Sequence, residues 1–248
     1  MADGIGTALT APFLQIMKPI FYVRIAVDIS MAAILLFLLG WHLFGNFPHE
    51  ILGTGLFVLF SIHNILNFRW YRSLFRGRYT VFRAVQTAVI LLLWLCTVLT
   101  AASSLMISRD VWAFLEVPGA AVGRKIHLVA TAWLFVLSGV HLGFHGEAVV
   151  GKIRRFFKRR TKTAFAAGIF LTVLTAAAAV YGAVVFVRRR LYSDLFLLSE
   201  FKFFDFEESP AVFLAEAVCM TVLFAVAGFC LRRLVTVKKR PSGFRRPF

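Results

Sequence analysis

Long apolar runs are the feature that most constrains the fold of this chain. Six stretches contain at most one Asp, Glu, Lys or Arg each: 25–44, 50–68, 84–106, 126–148, 164–187 and 211–231. A helix of about 20 residues spans the roughly 30 Å hydrocarbon core of a bilayer. The sequence therefore predicts an all-α, polytopic membrane protein with six transmembrane helices. Hydrophobic residues make up 60% of the 248 positions, and no stretch remains for a soluble domain.

The distribution of positive charge predicts the orientation of these spans. Of the 28 Lys and Arg residues, 21 lie before span one, between spans two and three, between spans four and five, and after span six. The positive-inside rule places these segments, and hence both termini, in the cytoplasm. The net charge is +16, and we expect the basic residues to contact anionic lipid headgroups of the bilayer. This charge does not favour nucleic acid as a partner.

One basic cluster lies on the opposite side from the other basic segments. Residues 188–190 are three consecutive arginines that follow span five, on the outer side in this orientation. We expect acidic residues of the same loop to match them: Asp194, Glu200, Asp205, Glu207 and Glu208. The loop 191–210 is both acidic and aromatic, and two interpretations remain open for it. It is either a docking surface for an outer partner or an amphipathic segment at the membrane interface.

Two histidine pairs share one spacing. His49 and His63 lie in span two, and His127 and His141 lie in span four, fourteen residues apart in each pair. Fourteen helical residues rise about 21 Å, and two heptads bring both side chains to one face of a bundled helix. With spans two and four parallel, His49 faces His127 near the outer side and His63 faces His141 near the inner side. The two histidines that face each other at one depth, one from each span, can supply the two axial ligands of a low-spin haem iron.

Alternatives to these four ligands stay open. A single intramembrane histidine is more often a hydrogen-bonding group or a proton carrier than a haem ligand. His145 lies one turn beyond His141 and could replace it, and His42 at the end of span one could replace His49. Since the three cysteines form neither C-x-x-C nor C-x-x-C-H, covalent haem attachment is not indicated. The expected cofactors are two non-covalent haem b groups.

Several residues near the histidines are candidates for a supporting role. Asn67, Arg69, Arg124 and Lys125 could orient an imidazole or neutralise haem propionates; otherwise they bond a neighbouring helix or extend to the interface. Gly40, Gly53, Gly55, Gly139 and Gly143 either make room for a flat ring or allow close helix packing. Asp28 lies four residues after Arg24 and is expected to pair with it on one helix.

A family resemblance is carried by two segments. HEILGTGLFVLFSIHNILNFRW (49–70) and KIHLVATAWLFVLSGVHLGFHG (125–146) resemble the flavinylation-associated cytochromes, small membrane proteins of bacteria and archaea. The motifs are His-Glu opening span two, His-x-x-x-Asn near its end, a histidine opening span four, and Gly-x-His-x-Gly-x-His. The loop FKFFDFEESP (201–210) resembles that of six-helix members. The resemblance implies haem binding, electron transfer across the prokaryotic cytoplasmic membrane, and a flavoprotein partner outside it.

The resulting prediction divides the chain into five parts. They are a cytoplasmic segment 1–24, a four-helix di-haem domain 25–148, a basic cytoplasmic loop 149–163, two further helices in 164–231 and a basic cytoplasmic tail 232–248. The expected function is electron transfer between a quinol pool or cytoplasmic donor and an extracytosolic flavoprotein, either as an electron-transfer protein or as the membrane subunit of an oxidoreductase. Quinone binding is inferred from this class of protein. The alternatives are a haem-dependent transmembrane reductase of metal ions or oxygen, and a non-redox transporter or assembly factor.

Overall fold

The computed structural model describes residues 5–147, 162–199 and 204–237, with side chains in 20–147, 166–199 and 204–236. These residues form nine α-helices: α1 (Ile5–Leu38), α2 (Trp41–Phe44), α3 (Asn46–Leu66), α4 (Phe68–Ser73), α5 (Val81–Ile107), α6 (Ala120–Phe144), α7 (Lys162–Arg188), α8 (Leu191–Leu195) and α9 (Pro210–Val237). A short 3-10 helix covers Ala113–Leu115. Within the described ranges there is no β-strand, and the all-α prediction is confirmed.

Six of these helices are long and apolar enough to cross a membrane. The segments are Ile20–Leu38, Asn46–Leu66, Val81–Ile107, Ala120–Phe144, Ala166–Arg188 and Pro210–Thr236. Large apolar side chains such as Ile29, Phe170 and Val180 remain exposed on them. Such a surface is stable in lipid, where each helix satisfies its own backbone hydrogen bonds. The chain is therefore an integral membrane protein with six spans.

The boundary between the first two spans differs from the predicted one. The sequence predicts a continuous run 25–44, but α1 ends at Leu38, and the four-residue α2 follows before α3 begins at Asn46. Gly45 joins α2 to α3 with a φ of 90°, a left-handed conformation that glycine adopts without steric cost. At the other end, α1 extends back to Ile5, so most of the predicted cytoplasmic segment 1–24 is helical.

The chain divides into two compact units, residues 1–76 and 77–248. In the first unit, α1 and α3 are antiparallel neighbours. The Leu38 side chain at the end of α1 lies 4.0 Å from the position that a Cβ would take at Gly53. At the other end, the Arg24 guanidinium donates a hydrogen bond of 2.6 Å to the Leu66 carbonyl. The two spans therefore form a helical hairpin.

In the second unit, α6 packs between α5 and α9. The antiparallel packing of α5 and α6 brings the Phe82 and Phe144 rings to 5.5 Å. The packing of α6 on α9 is parallel, because Gly139 lies against Phe224 and Gly146 lies further along, against Phe229.

The fifth span, α7, runs antiparallel to α9, with Gly182 against Cys219 and Arg188 paired with Glu216. Successive spans of this unit therefore alternate in direction, as crossings of one bilayer require.

Several predicted segments lie wholly or partly outside the described residues. Residues 148–161 and 238–248, which include most of the basic residues of the predicted loop and tail, lie outside the described part. The last two residues of the predicted loop 149–163 belong to α7. The first six residues of the predicted tail 232–248 belong to α9. The predicted four-helix domain 25–148 draws its helices from both units and stays a prediction, as does the cytoplasmic location of the termini.

Candidate functional site

The two histidines of α3 lie on the side of that helix that faces α1. The His49 imidazole lies beside the backbone of Leu38, the last residue of α1. The His63 ring contacts Asp28, ten residues earlier in α1, with 2.6 Å between Nδ1 and the carboxylate oxygen Oδ1. Their fourteen-residue spacing thus places both rings on one face of the helix and at two depths, because the helical period brings residues two heptads apart to similar angles.

The contact of His63 with Asp28 differs from the expected pairing on α1. Asp28 was expected to pair with Arg24, but its carboxylate contacts the His63 ring, and Arg24 donates to the Leu66 carbonyl. An ionised carboxylate at this distance accepts a hydrogen bond from Nδ1–H, and in that tautomer Nε2 is the nitrogen with a lone pair. Asn67 lies next to the same ring: its amide nitrogen donates to the His63 carbonyl at 2.8 Å and lies 3.5 Å from Nε2.

On α6, the first candidate ligand faces a hydroxyl group of α5. The distance from His127 Nδ1 to Ser103 Oγ is 3.3 Å. Ser103 is 1% exposed, and its hydroxyl donates to the Leu99 carbonyl at 2.6 Å. Its oxygen is therefore positioned to accept a hydrogen bond from Nδ1 of His127, the same ring nitrogen that contacts Asp28 in His63.

His141 and its possible replacement are immediate neighbours. The centroids of the His141 and His145 rings lie 5.0 Å apart, with an edge-to-face angle of 69°. Both side chains occupy the same end of α6, so both remain candidates for the second ligand on this helix. The other possible replacement, His42, is buried in α2 beside Trp41, with 6.5 Å between ring centroids.

The predicted ligand pairs combine residues of different units. His49 and His63 belong to the first unit, whereas His127 and His141 belong to the second. The pairings of His49 with His127 and of His63 with His141 therefore stay predictions. Within residues 5–147, 162–199 and 204–237, no three His, Cys, Asp or Glu side chains come together as a metal-ion site. A haem iron held by two histidines requires no such cluster.

The basic residues near the histidines lie at helix ends. Arg69 is exposed in α4, and Arg124 and Lys125 are exposed near the start of α6, before His127. Such positions suit interaction with propionates and with lipid headgroups equally well. A role for these three residues in binding a cofactor stays a prediction.

The glycines of the fourth span serve helix packing. A Cβ at Gly143 would overlap the Ala225 carbonyl of α9, and one at Gly139 would overlap the Phe224 side chain. Since residues two apart on a helix point about 200° apart, His141 is directed away from the α9 contact. Of the two interpretations of these glycines, close helix packing is therefore correct. In the first unit, a Cβ at Gly55 would meet none of the described atoms within 4 Å.

A buried ionic cluster links α7 to α9. Glu216 in α9 is 2% exposed and pairs with Arg188, while its Oε2 accepts a hydrogen bond of 2.6 Å from Nε of Arg189. Glu208 forms a second ion pair with Arg189, and the Tyr181 hydroxyl donates to Glu216 at 3.1 Å. Although burial lowers the pKa of Arg189, the hydrogen bonds to the two carboxylates hold it above its ordinary value.

This cluster was predicted only in part. Glu208 was among the loop acids expected to match the outer arginines, and it does so. The deeper partner, Glu216, was missed. The available signal was a single carboxylate in an otherwise apolar span, a position where an ionisable residue needs a partner.

The loop 191–210 folds back onto α6. Leu191 and Leu195 of α8 are buried, and the Trp133 indole donates a hydrogen bond of 3.0 Å to the Leu195 carbonyl. Phe196 and Phe206 remain 63% and 67% exposed, and both interpretations of the loop 191–210 stay open. Residues 200–203 of this loop lie outside the described part.

No protein-family model, curated protein or solved structure matches this chain.

Proposed function

We propose that this chain is a di-haem b-type membrane cytochrome that carries electrons across the bilayer. The observation that carries the proposal is the repeated fourteen-residue spacing of histidines on two membrane-spanning helices, His49 with His63 and His127 with His141. Each pair places two imidazoles about 21 Å apart along its helix, which covers most of the roughly 30 Å hydrocarbon layer.

The hydrogen bonds of two histidines support their role as ligands. A metal-binding imidazole ordinarily donates its second ring N–H to an oxygen, which fixes the ring and its tautomer. Nδ1 of His63 faces the Asp28 carboxylate, and Nδ1 of His127 faces the Ser103 hydroxyl. In His127, Nε2 is then the nitrogen that could bind iron. In His63, Nε2 lies 3.5 Å from the Asn67 side-chain amide nitrogen, which would have to move away for iron to bind there.

Under this proposal, the chain contributes ligands, spacing and polarity. His49, His63, His127 and His141 would hold the two haem groups, which supply one-electron chemistry when bound. Each of the two helices holds its own two imidazoles at two depths. Asp28 and Ser103 orient two of the rings through their hydrogen bonds.

The resemblance to flavinylation-associated cytochromes supports the proposed partners and location. We place the protein in the prokaryotic cytoplasmic membrane with both termini in the cytoplasm, on the strength of its charge asymmetry. Electrons would pass between a quinol pool or cytoplasmic donor and an extracytosolic flavoprotein. The outer loop, which Trp133 and the Glu216 cluster attach to the helices, is the proposed docking region.

The haem-to-protein ratio of the purified protein tests this function. Expression with ample haem should give a ratio near two and low-spin bands in the reduced-minus-oxidised spectrum. Replacing any one of the four proposed ligands with alanine should reduce the ratio, whereas His42→Ala and His145→Ala should leave it unchanged. A colourless wild-type protein would refute the proposal, and loss of haem in either control would overturn the ligand assignment.

A second candidate function is favoured by the contact of His141 with His145. Two histidines four residues apart at a helix end can bind a single divalent transition metal ion, and the centroids of these two rings lie 5.0 Å apart. This geometry suits a non-redox protein that handles metal ions. Calorimetric titration with Zn²⁺ separates the two functions: one bound ion, lost in both His141→Ala and His145→Ala, together with absence of haem, would favour the second.

A further inference from the structure

The segment 191–198, which begins with α8, contacts α6 far from the start of that helix. The Trp133 indole donates a hydrogen bond of 3.0 Å to the Leu195 carbonyl. The Phe196 ring lies edge-to-face against the same indole, with 6.0 Å between ring centroids. Trp133 follows Ala120, the first residue of α6, by thirteen positions, a rise of about 20 Å. The segment therefore packs beside the body of α6.

Charged residues mark the part of α6 that lies in the hydrocarbon layer. Lys125 is exposed, and after it the sequence contains no Asp, Glu, Lys or Arg before Glu147. Residues 126–144 of α6 rise about 28 Å, close to the roughly 30 Å thickness of that layer. Trp133 lies about 12 Å past Lys125, and a helical side chain leans back towards the helix start by at most about one turn, or 5 Å. The contact with Leu195 therefore lies inside the edge of the hydrocarbon layer.

The packing of α9 on α6 gives a similar depth for the start of this segment. On these parallel helices, Gly139 lies against Phe224. Eight residues earlier on each helix, Glu216 is level with Thr131, about 9 Å inside the same boundary. Arg188, the last residue of α7, pairs with Glu216. The chain therefore leaves α7 near the edge of the hydrocarbon layer, and the segment stays close to that level.

The most exposed side chains of this segment are apolar, and its charged side chain is buried. Phe196 and Leu198 are 63% and 67% exposed, whereas Asp194, the one charged residue of LYSDLFLL (191–198), is buried. A segment surrounded by water has the opposite pattern, because carboxylates are solvated and large apolar side chains are withdrawn from water. In lipid, an exposed phenyl ring is stable and an exposed carboxylate is costly. The pattern therefore indicates contact with lipid.

Two exposed arginines next to the segment are compatible with this depth. Arg188 and Arg190 precede it, and both side chains are exposed. Long arginine side chains extend along apolar surface to the headgroup region, where phosphate groups accept hydrogen bonds from the guanidinium. Their presence places the segment at the edge of the hydrocarbon layer and not at its centre.

Backbone groups of the segment have partners within the protein, as a lipid environment requires. The Ser193 N–H donates to the Arg190 carbonyl at 2.8 Å, and the Leu198 N–H donates to the Ser193 carbonyl at 2.9 Å. The Leu195 carbonyl accepts the hydrogen bond of Trp133. Since unpaired backbone groups are costly in hydrocarbon, these bonds allow the segment to lie there.

We propose that the segment 191–198 is a membrane anchor whose partner is the bilayer, with Phe196 and Leu198 inserted among the acyl chains at the edge of the hydrocarbon layer. It continues the lipid-facing surface of the fifth span, which is exposed as far as Val187. The inference goes beyond the proposed function and does not rest on it. An outer partner would then dock on the acidic end of the loop, residues 204–208.

Collisions of spin labels with oxygen and with a nickel chelate test the anchor in proteoliposomes of phosphatidylethanolamine and phosphatidylglycerol. Oxygen concentrates in hydrocarbon, and the chelate stays in water. The label is attached at Phe196→Cys or Leu198→Cys in a chain whose three cysteines are replaced with alanine. Both labels should have an oxygen-to-nickel collision ratio several-fold above that of Asp205→Cys, an exposed position of the same loop, and close to that of Val180→Cys, an exposed position of the fifth span.

Two results would overturn the inference. Labels at positions 196 and 198 that collide with nickel as often as the label of Asp205→Cys would place the segment in water, where a protein partner could bind it. Few collisions with either reagent would show that protein covers this surface.

A second measurement keeps the three cysteines and does not depend on folding of the cysteine-free chain. The fluorescence added by Phe196→Trp should be quenched by brominated lipid, and the fluorescence added by Asp205→Trp should be quenched by aqueous iodide. Quenching of the Phe196→Trp fluorescence chiefly by iodide would contradict the anchor.

Discussion

Replacing Glu216 with glutamine should destabilise the packing of α7 against α9. The Glu216 side chain is 3% exposed and accepts hydrogen bonds from Arg189 at 2.6 Å and Tyr181 at 3.1 Å, in addition to its ion pair with Arg188. Glutamine keeps the shape of the side chain and an acceptor for Tyr181. It removes the negative charge that both arginines face, and it places an amide group beside two cations.

The expected loss of unfolding free energy depends on which favourable interactions each arginine keeps when the Glu216 charge is removed. Breaking a buried ion pair by removing one partner costs about 3–5 kcal/mol, because a buried charge is left unmatched. Here the Arg188 side chain is 56% exposed and can be solvated, and Arg189 keeps its ion pair with Glu208. The expected loss of unfolding free energy for Glu216→Gln is therefore below that range, at about 2 kcal/mol, with a larger loss for Glu216→Ala.

The assay is equilibrium unfolding in mixed detergent micelles, followed by tryptophan fluorescence. The chain has five tryptophans, and Trp133 reports on the loop 191–210 through its contact with Leu195. The matched control is Glu207→Gln, which removes an exposed carboxylate of the same loop and should change stability by less than about 0.5 kcal/mol. A Glu216→Gln variant as stable as this control would refute the reasoning.

Three further predictions concern helix packing and capping. Gly143→Val should disrupt the contact of α6 with α9 and lower the free energy of unfolding by at least about 2 kcal/mol. Gly168→Val should be tolerated, because a Cβ there meets none of the described atoms within 4 Å. The same unfolding assay compares the two variants. Trp133→Phe removes the hydrogen bond to the Leu195 carbonyl, and protease cleavage of the loop 191–210 should become faster. Thr80→Ala removes the side-chain cap of α5 and should cost about 1 kcal/mol in unfolding free energy, and an unchanged unfolding midpoint would contradict this role.

The six spans could be predicted because their signal is local. An apolar run of about 20 residues satisfies its backbone as a helix whatever its neighbours are. The exception was the end of the first span, where the apolar run 25–44 continues past the end of α1. The hydropathy of the sequence does not show where the chain turns at Gly45, because the turn depends on backbone conformation.

The part of the candidate site that could be predicted is the part that follows from helical periodicity within one helix. The spacing of His49 and His63 fixed their common face on α3, and the structure places both against α1. The identity of the groups that contact these rings could not be predicted. Asp28 lies 35 positions from His63, and its expected partner was the arginine one turn away on its own helix.

The sequence by itself determined that there are six apolar spans and how side chains are arranged around each of them, because both follow from residues within one segment. Only the tertiary structure decided which helix each face meets. It directed Gly139 and Gly143 to α9, joined Glu216 to two arginines of α7, and gave His63 a carboxylate where His127 has a hydroxyl. The physical reason is that rise and rotation are set along one helix, whereas contacts between helices depend on close packing of residues far apart in the chain.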